Sequence, residues 1–201
     1  MGRWEPDARG RLAKAAMALY ADHGFEQTTV AEIASQAGLT ERTFFRHFAD
    51  KREVLFYGME MARGLLVEAV AAAPASAAPV DVVSAAFVAF TEMLAENPQR
   101  ARLRDAIVSA HADLRERELI KLGEFAAAVA GALRDRGVPE PAASLAAETG
   151  VAVFKIAFAR WASTPDSADL PGLFLTLMQD LRGVLTEPLP IDRIDVTGLS
   201  L

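Results

Sequence analysis

The sequence predicts an all-α protein, and three observations favour that fold class. The 201 residues include 40 alanines, and alanine is the strongest helix former because it loses no side-chain entropy on folding. Glycine and proline divide the chain into stretches whose apolar residues recur every three or four positions, which is the period of a helix. No stretch alternates apolar and polar residues for long enough to predict a β-strand.

The N-terminal region begins with two predicted helices of unequal length. The first covers residues 7–23, where leucine and alanine line one face. The second is only about two turns long. Either Thr28 or Thr29 can cap its N-terminus, and Glu32 stands where a capping box requires an acid. Gly38 is expected to end it.

Further helices follow at regular intervals. Thr40 is expected to cap a short third helix over residues 41–48, and Asp50 a long fourth helix that begins at Lys51. Residues 71–79 are rich in alanine, proline and serine and are expected to form a linker. Later helices are predicted over residues 80–96, 98–110, 114–136, 141–162 and 170–185.

The second and third predicted helices have the features of a helix-turn-helix. Ala34 is small where the two helices must cross, and Gly38 tolerates the positive φ that a three- or four-residue turn requires. The side chains that the third helix exposes are suited to the major groove. Arginine can hydrogen-bond to the edge of guanine, threonine provides a hydroxyl and a methyl group, and an aromatic ring can contact the methyl group of thymine. This predicted reading set is Glu41, Arg42, Thr43, Phe45, Arg46 and His47.

Contacts to DNA phosphates are expected beside the reading set. Thr29 and Lys51 lie at predicted helix N-termini, where free N–H groups and the helix dipole favour an anion. Thr40 completes the predicted DNA-binding residues. An ordinary pair of core helices is the alternative interpretation, but it does not require the caps, the glycine and the trailing lysine in this register.

Charge is distributed unevenly along the chain. The whole sequence carries a formal charge of −6, which excludes a uniformly basic nucleic-acid coat or a polybasic membrane binder. Residues 1–52 hold eight Lys or Arg and seven Asp or Glu, a net charge of +1, so the remainder carries −7. A DNA-binding head on an acidic body fits this distribution.

Several other classes of protein are not expected. There is no cysteine, which excludes disulfides, thiolate metal sites and cysteine nucleophiles. We find no phosphate loop, dinucleotide fingerprint, zinc-protease motif or nucleophile elbow, so the sequence predicts neither an enzyme nor a cofactor or metal site. No apolar run approaches the roughly 20 residues that cross a bilayer, and the N-terminus lacks a secretion signal. We therefore expect a cytoplasmic protein without a membrane partner.

At this point a family resemblance is clear. The segment from about Arg11 to Leu55 resembles the N-terminal DNA-binding domain of the TetR family of transcriptional regulators. The matching motifs are Gly24-Phe25, Thr28-Thr29-Val30, Ile33-Ala34, Ala37-Gly38-Leu39-Thr40, Thr43-Phe44-Phe45-Arg46-His47-Phe48 and Lys51-Arg52-Glu53-Val54. Phe45 and His47 depart from the pattern, since the family usually has phosphate-binding tyrosines there. Phe45 has no hydroxyl, whereas a ring nitrogen of His47 can still donate.

The resemblance also implies the remaining organisation. It implies a DNA-binding domain over residues 1–50 and a helical effector-binding and dimerisation domain over 51–186, and residues 187–201 are expected to form a flexible tail. Homodimerisation would use the last two long helices, through Val151, Phe154, Phe158, Trp161, Phe174, Leu177, Met178 and Leu181. Candidate effector-pocket residues are Met61, Leu65, Phe87, Phe90, Leu94, Leu103, Ile107, His111, Leu122 and Phe125. Simple core packing is the alternative for each of them.

The segments 96–104 and 114–118 resemble a TetR subgroup with an acyl-CoA-like effector domain. Arg100 and Arg104 lie one turn apart and could face an anionic head group, although alternating charges often form only a solvated face. We therefore expect a homodimeric repressor that binds a palindromic operator in double-stranded DNA and is released by a small apolar or amphipathic effector, with acyl-CoA as one candidate. The alternatives are a helical scaffold protein without DNA binding and an activator of the same fold.

Overall fold

The computed structural model describes residues 7–164 and 169–186, and within these ranges it confirms the all-α expectation. Nine α-helices and one 3-10 turn account for the regular structure of the described residues, which contain no strand. The helices are α1 Ala8–His23, α2 Val30–Gln36, α3 Glu41–His47, α4 Met59–Ala72, α5 Pro79–Ala95, α6 Pro98–Ala110, α7 Ala112–Asp135, α8 Ala142–Ala162 and α9 Leu170–Thr186, and the 3-10 turn is Glu53–Phe56. The predicted tail, residues 187–201, lies outside the described residues.

The fourth helix begins later than the sequence predicts. Asp50 does act as a cap, since its Oδ1 accepts a hydrogen bond of 2.9 Å from the Glu53 amide. The chain then forms the 3-10 turn, and α4 starts only at Met59, after Gly58. Val54, Leu55 and Phe56 are all buried, and three consecutive inward side chains do not fit one face of an α-helix. Burial of this apolar run therefore overrides the predicted continuous helix.

Helices α1 to α3 form a head with its own apolar core. Leu12, Ile33 and Phe44 are completely buried there. The same cluster includes Val108 and Leu114, which belong to α6 and α7. The head is therefore not an isolated unit, because it rests against the corner where α6 turns into α7.

The body is a helical layer structure around a second core. Helices α4, α5, α7, α8 and α9 pack against one another, with Phe87 and Trp161 completely buried. A Cβ added to Gly150 of α8 would stand 2.5 Å from Val83 Cγ1 and 2.6 Å from Phe87 Cε2, so glycine allows α8 and α5 to approach closely. By length and composition α8 also qualifies as a membrane span, but its buried residues belong to this core.

Candidate nucleic-acid interface and ligand cavity

The turn between α2 and α3 has the geometry that a helix-turn-helix requires. Gly38 has φ 66°, a left-handed conformation that L side chains adopt only with strain. The Leu39 amide donates a 2.8 Å hydrogen bond to the Ala34 carbonyl, which ends α2. Ile33 and Ala34 are buried beneath the turn, so the relative position of the two helices is fixed by packing as well as by the backbone.

Both short helices are capped as the local sequence predicts. At α2, the choice left open between two threonines falls on Thr29, whose hydroxyl accepts from the Glu32 amide at 3.2 Å. Glu32 Oε2 in turn accepts from the Thr29 amide at 2.8 Å, which completes the capping box and lowers the pKa of Glu32. Thr28 instead donates its hydroxyl to the Gly24 carbonyl. At α3, Thr40 Oγ1 accepts from the Thr43 amide at 3.2 Å.

One buried ring orients the third helix. Phe44 is completely buried, so the opposite face of α3 is turned to solvent. Glu41, Arg42 and Arg46 are exposed there, and Phe45 is 55% exposed. The structure thus brings these predicted reading residues onto one accessible surface, with an apolar ring between the arginines.

His47 lies at the edge of this surface and is half-buried. Desolvation lowers its pKa, and the positive charges of Arg46 and Arg9 lower it further. Its Nε2 is buried and has no hydrogen-bond partner among the described residues. Burial and the neighbouring positive charges therefore favour the neutral form of the ring.

Lys51 occupies a different environment from the one expected for a phosphate contact. Its ammonium donates to the carbonyls of Phe25 at 2.8 Å, Glu26 at 3.0 Å and Thr28 at 3.0 Å. The ammonium also lies 4.7 Å from the centre of the Phe25 ring. An ammonium has three donors, and these contacts use all three to hold the loop between α1 and α2.

A cavity of about 500 Å³ lies where the head meets the body. Four of the predicted pocket residues line it, namely Met61, Phe90, Leu94 and Leu122. The remaining lining residues are Met17, Val54, Leu55, Tyr57, Gly58, Met59, Ala62, Met93, Glu96, Asn97, Arg100, Ala101, Arg104, Glu118, Phe154 and Phe158. Met61 is 64% exposed, so the cavity reaches the surface beside it.

The other six predicted pocket residues lie elsewhere. Phe87 and Phe125 are buried in the body core, and Leu65 packs against it. Ile107 is buried in the head cluster and Leu103 packs against that cluster. The side of α6 that carries Leu103 and Ile107 therefore faces the head, while Arg100, Ala101 and Arg104 face the cavity. Periodicity alone does not say which neighbour each side of a helix meets.

His111, the sixth, joins the head to the body. Its Nε2 lies 2.8 Å from Glu26 Oε1, its Nδ1 lies 2.7 Å from the Ile107 carbonyl, and its ring meets that of Phe25 edge-on at 5.2 Å. Arg52 Nε donates to Asp113 Oδ2 at 2.9 Å. The corner between α6 and α7 is therefore a polar contact surface for the head.

Comparison with known proteins agrees with this geometry. Residues 12–57 match the family model described as bacterial regulatory proteins, tetR family. The chain is 37% identical to the transcriptional regulator TcmR of Streptomyces glaucescens over 79 residues, which cover 39% of this chain and 35% of that protein. It is 40% identical to the repressor KstR2 of Mycobacterium tuberculosis over 58 residues, which cover 29% and 28%. The chain thus matches only about a third of these relatives' length.

Solved structures extend the similarity to the whole fold. The FadR repressor of Thermus thermophilus in complex with lauroyl-CoA is 26% identical, with a TM-score of 0.61, over 90% of this chain and 97% of that one. The FadR regulator of Bacillus subtilis in complex with stearoyl-CoA is 19% identical, with a TM-score of 0.63, over 86% and 97%. The N-terminal segment of the chain thus matches the tetR family model, and the whole fold is similar to that of the FadR regulators. Its named relatives are transcriptional regulators and not enzymes.

Most of the side chains predicted for the dimer interface are used inside the protomer. Val151, Phe154, Trp161, Phe174 and Met178 are all buried. Leu177 and Leu181 pack against the same core, and Phe158 lines the cavity. The large apolar residues that the described parts of α8 and α9 leave exposed are Leu145, Ile156, Leu175, Val184 and Leu185. Any partner helix would therefore meet this outer face.

Proposed function

We propose that this chain is a homodimeric, ligand-responsive repressor that binds a palindromic operator in double-stranded DNA and is released by a small amphipathic effector. The observation that carries the proposal is the exposed face of α3, held outward by the buried Phe44. On this proposal, residues 1–50 act as the DNA-binding domain, residues 51–186 as the effector and dimerisation domain, and the protein works in the cytoplasm.

Base reading is assigned to α3. Arg42 and Arg46 are exposed on it, and an arginine can donate two hydrogen bonds to the O6 and N7 atoms of guanine. Phe45, 55% exposed, suits contact with a thymine methyl or a sugar. Thr29 and Thr40 cap the N-termini of α2 and α3, and the N-terminal end of a helix favours a phosphate. Lys51 supports this surface by fixing the loop behind it.

The dimer is assigned to the outer face of α8 and α9. Ile156 and Leu175 are exposed apolar residues on these helices, and the neighbouring Ala152 and Ala159 of α8 are small and exposed. Two such pairs of helices can form a four-helix bundle between protomers. Two heads would then address half-sites about 34–36 Å apart.

The effector that releases the protein from DNA is assigned to the cavity between head and body. The FadR proteins of Thermus thermophilus and Bacillus subtilis were solved with acyl-CoA molecules, which makes amphipathic effectors reasonable for this fold. The cavity is lined by Leu55 of the 3-10 turn and by Gly58 and Met59, where α4 begins. A ligand that binds better to one arrangement of this junction shifts the heads, and a coupling of about 1–3 kcal/mol changes DNA affinity roughly 5–150-fold.

The DNA-binding step is tested by selecting an operator from random duplexes and measuring affinity by fluorescence anisotropy. Arg46→Ala is expected to reduce discrimination between operator and random DNA by about 10-fold or more, because a bidentate contact to guanine provides about 1–3 kcal/mol of discrimination. Arg115→Ala is the matched control, since Arg115 is an exposed arginine on α7. No binding to any duplex at low salt, or equal loss in both variants, would contradict the assignment.

The dimer is tested by sedimentation. Ile156→Glu places a charge on the proposed interface and is expected to shift the protein toward monomer at micromolar concentration. Leu119→Glu is the control, because Leu119 is 56% exposed on α7. An Ile156→Glu variant that sediments like the wild type would place the interface elsewhere.

A further inference from the structure

Among the arginines that line the cavity in the described part of the chain, Arg104 has a guanidinium that is bound on two sides and carries a buried, unpartnered Nη2 on a third. Its Nε donates to the Leu55 carbonyl at 3.2 Å, and its Nη1 pairs with Glu118. Its Nη2 is buried and makes no hydrogen bond to any described residue. The guanidinium carbon lies 5.0 Å from the centre of the Phe56 ring, and only 17% of the side chain is exposed.

A buried N–H without a partner is costly. Leaving a donor unsatisfied costs about 1–3 kcal/mol, and more when the group is charged. Arg104 lines the cavity, and because its Nη2 is covered by neighbouring atoms, an acceptor in the cavity reaches Nη2 after a small rotation of the Arg104 side chain. The strongest such acceptor is an anion, because a charge-assisted hydrogen bond is roughly twice as strong as a neutral one.

The rest of the lining limits what kind of anion fits. Its charged side chains are Glu96, Glu118, Arg100 and Arg104, which sum to zero. A polyphosphate needs several surplus cations, and the described lining does not provide them. A single carboxylate needs only the unpartnered Nη2 of Arg104.

The remaining walls are suited to a flexible apolar body. Met59, Met61 and Met93 line the cavity together with Phe90 and Phe158. Methionine is unbranched and polarisable, and therefore adapts to chains of irregular shape. A cavity of about 500 Å³ is within the range that holds small-molecule ligands.

We propose that the cavity binds an amphipathic monocarboxylic acid, whose carboxylate accepts hydrogen bonds from Arg104 Nη2 while its apolar body packs against the methionines and phenylalanines. The proposal rests on the effector role given to this cavity above and specifies the ligand class. The same contact would couple ligand binding to the position of the DNA-binding head. The guanidinium that receives the carboxylate also holds the carbonyl of Leu55, in the 3-10 turn that connects the head to α4.

The test compares three probes that share a twelve-carbon chain, namely dodecanoate, dodecanol and lauroyl-CoA, by calorimetry on the purified full chain. Dodecanoate is expected to bind at least about 10-fold more tightly than dodecanol, because the hydrogen bond from the guanidinium to a carboxylate is stronger than the one to a neutral hydroxyl oxygen. Lauroyl-CoA is expected to bind more weakly than dodecanoate. Equal affinity for acid and alcohol, or tighter binding of lauroyl-CoA, would overturn the proposal.

Variants locate the contact. Arg104→Gln is expected to reduce the preference for dodecanoate over dodecanol to within about 2-fold, while Arg100→Gln, on the same helix and in the same cavity, is expected to retain it. A preference that survives in Arg104→Gln and disappears in Arg100→Gln would refute the assignment to Arg104. If Arg104→Gln fails to fold, the comparison of the two probes on the wild-type chain still decides the ligand class.

DNA binding is measured separately on the ligand-free chain. If the chain binds its selected operator but shows no preference for dodecanoate, the ligand class is wrong and the proposed function stands. If the chain prefers dodecanoate but binds no DNA, the ligand class is supported and the proposed function fails.

Discussion

Replacing Lys51 with methionine distinguishes a structural lysine from a phosphate contact. Methionine keeps an unbranched apolar side chain and removes the ammonium that bonds the carbonyls of Phe25, Glu26 and Thr28 at 2.8, 3.0 and 3.0 Å. A hydrogen bond from a charged group contributes about 1.5–3 kcal/mol. Because the side chain is only half-buried, water partly replaces these bonds, and we expect a total loss of about 2 kcal/mol.

This loss has a measurable thermal consequence. For a chain of this size, 1 kcal/mol shifts Tm by about 2–4 °C, so Lys51→Met is expected to lower Tm by about 4–8 °C. DNA affinity is expected to fall equally for operator and random sequence, because the loop behind α3 loosens. The slope of log affinity against log salt is expected to stay unchanged, whereas loss of one phosphate contact would reduce it by about 0.9.

Differential scanning calorimetry and salt-dependent anisotropy provide the two readouts. Lys14→Met is the matched control, because Lys14 is an exposed lysine on α1 of the same head, and its Tm is expected to stay close to that of the wild type. If Lys51→Met kept its Tm and lost about 0.9 of the salt slope, Lys51 would be a phosphate contact and the structural explanation would fail.

Two further predictions concern packing and pH. Gly150→Ala is expected to lower the free energy of unfolding in urea by about 1–3 kcal/mol, because the added methyl group contacts Val83 and Phe87. Gly123→Ala is the control, since Gly123 lies in the middle of α7 with open space around it, and its free energy of unfolding is expected to rise by about 0.5–1 kcal/mol. Equal effects of the two substitutions would contradict the packing argument. Burial and the charges of two arginines lower the pKa of His47 in the folded chain. As pH falls, His47 therefore takes up its proton in the unfolded chain before it does so in the folded chain. The free energy of unfolding is expected to fall as pH drops below about 6.5. His47→Gln is expected to flatten that part of the urea-unfolding pH profile, and an unchanged profile would assign it to other groups.

The helix-turn-helix was predictable because its determinants are local. Thr29, Glu32 and Thr40 cap helices through amides three residues away, and Gly38 supplies a positive φ within the turn. Such signals depend on neighbours in the chain and survive without knowledge of the tertiary fold. The outward face of α3 followed from the same local reasoning, since burying Phe44 exposes Arg42, Phe45 and Arg46.

The cavity was predictable only in part. Four of its lining residues are among the candidates that accompany the family resemblance, and Phe154 and Phe158, predicted for the dimer interface, also line the cavity. Their spacing of four residues indicates that they share one face of α8, but it does not indicate what that face contacts. The sequence places Arg104 one turn from Arg100, whereas the partners of Arg104 at Leu55 and Glu118 lie 49 and 14 positions away.

The amino-acid sequence by itself determined the helical class, the caps, the glycine turn and the exposed face of α3. Tertiary structure alone decided which side of α6 faces the cavity, that the ammonium of Lys51 bonds a neighbouring loop, and that most of the side chains expected between protomers are buried in the protomer's own core. The physical reason is the distance along the chain between the residues that interact. Capping and turn formation are settled within a few residues, whereas the partner of an apolar face or a buried charge depends on how distant helices pack, which periodicity does not encode.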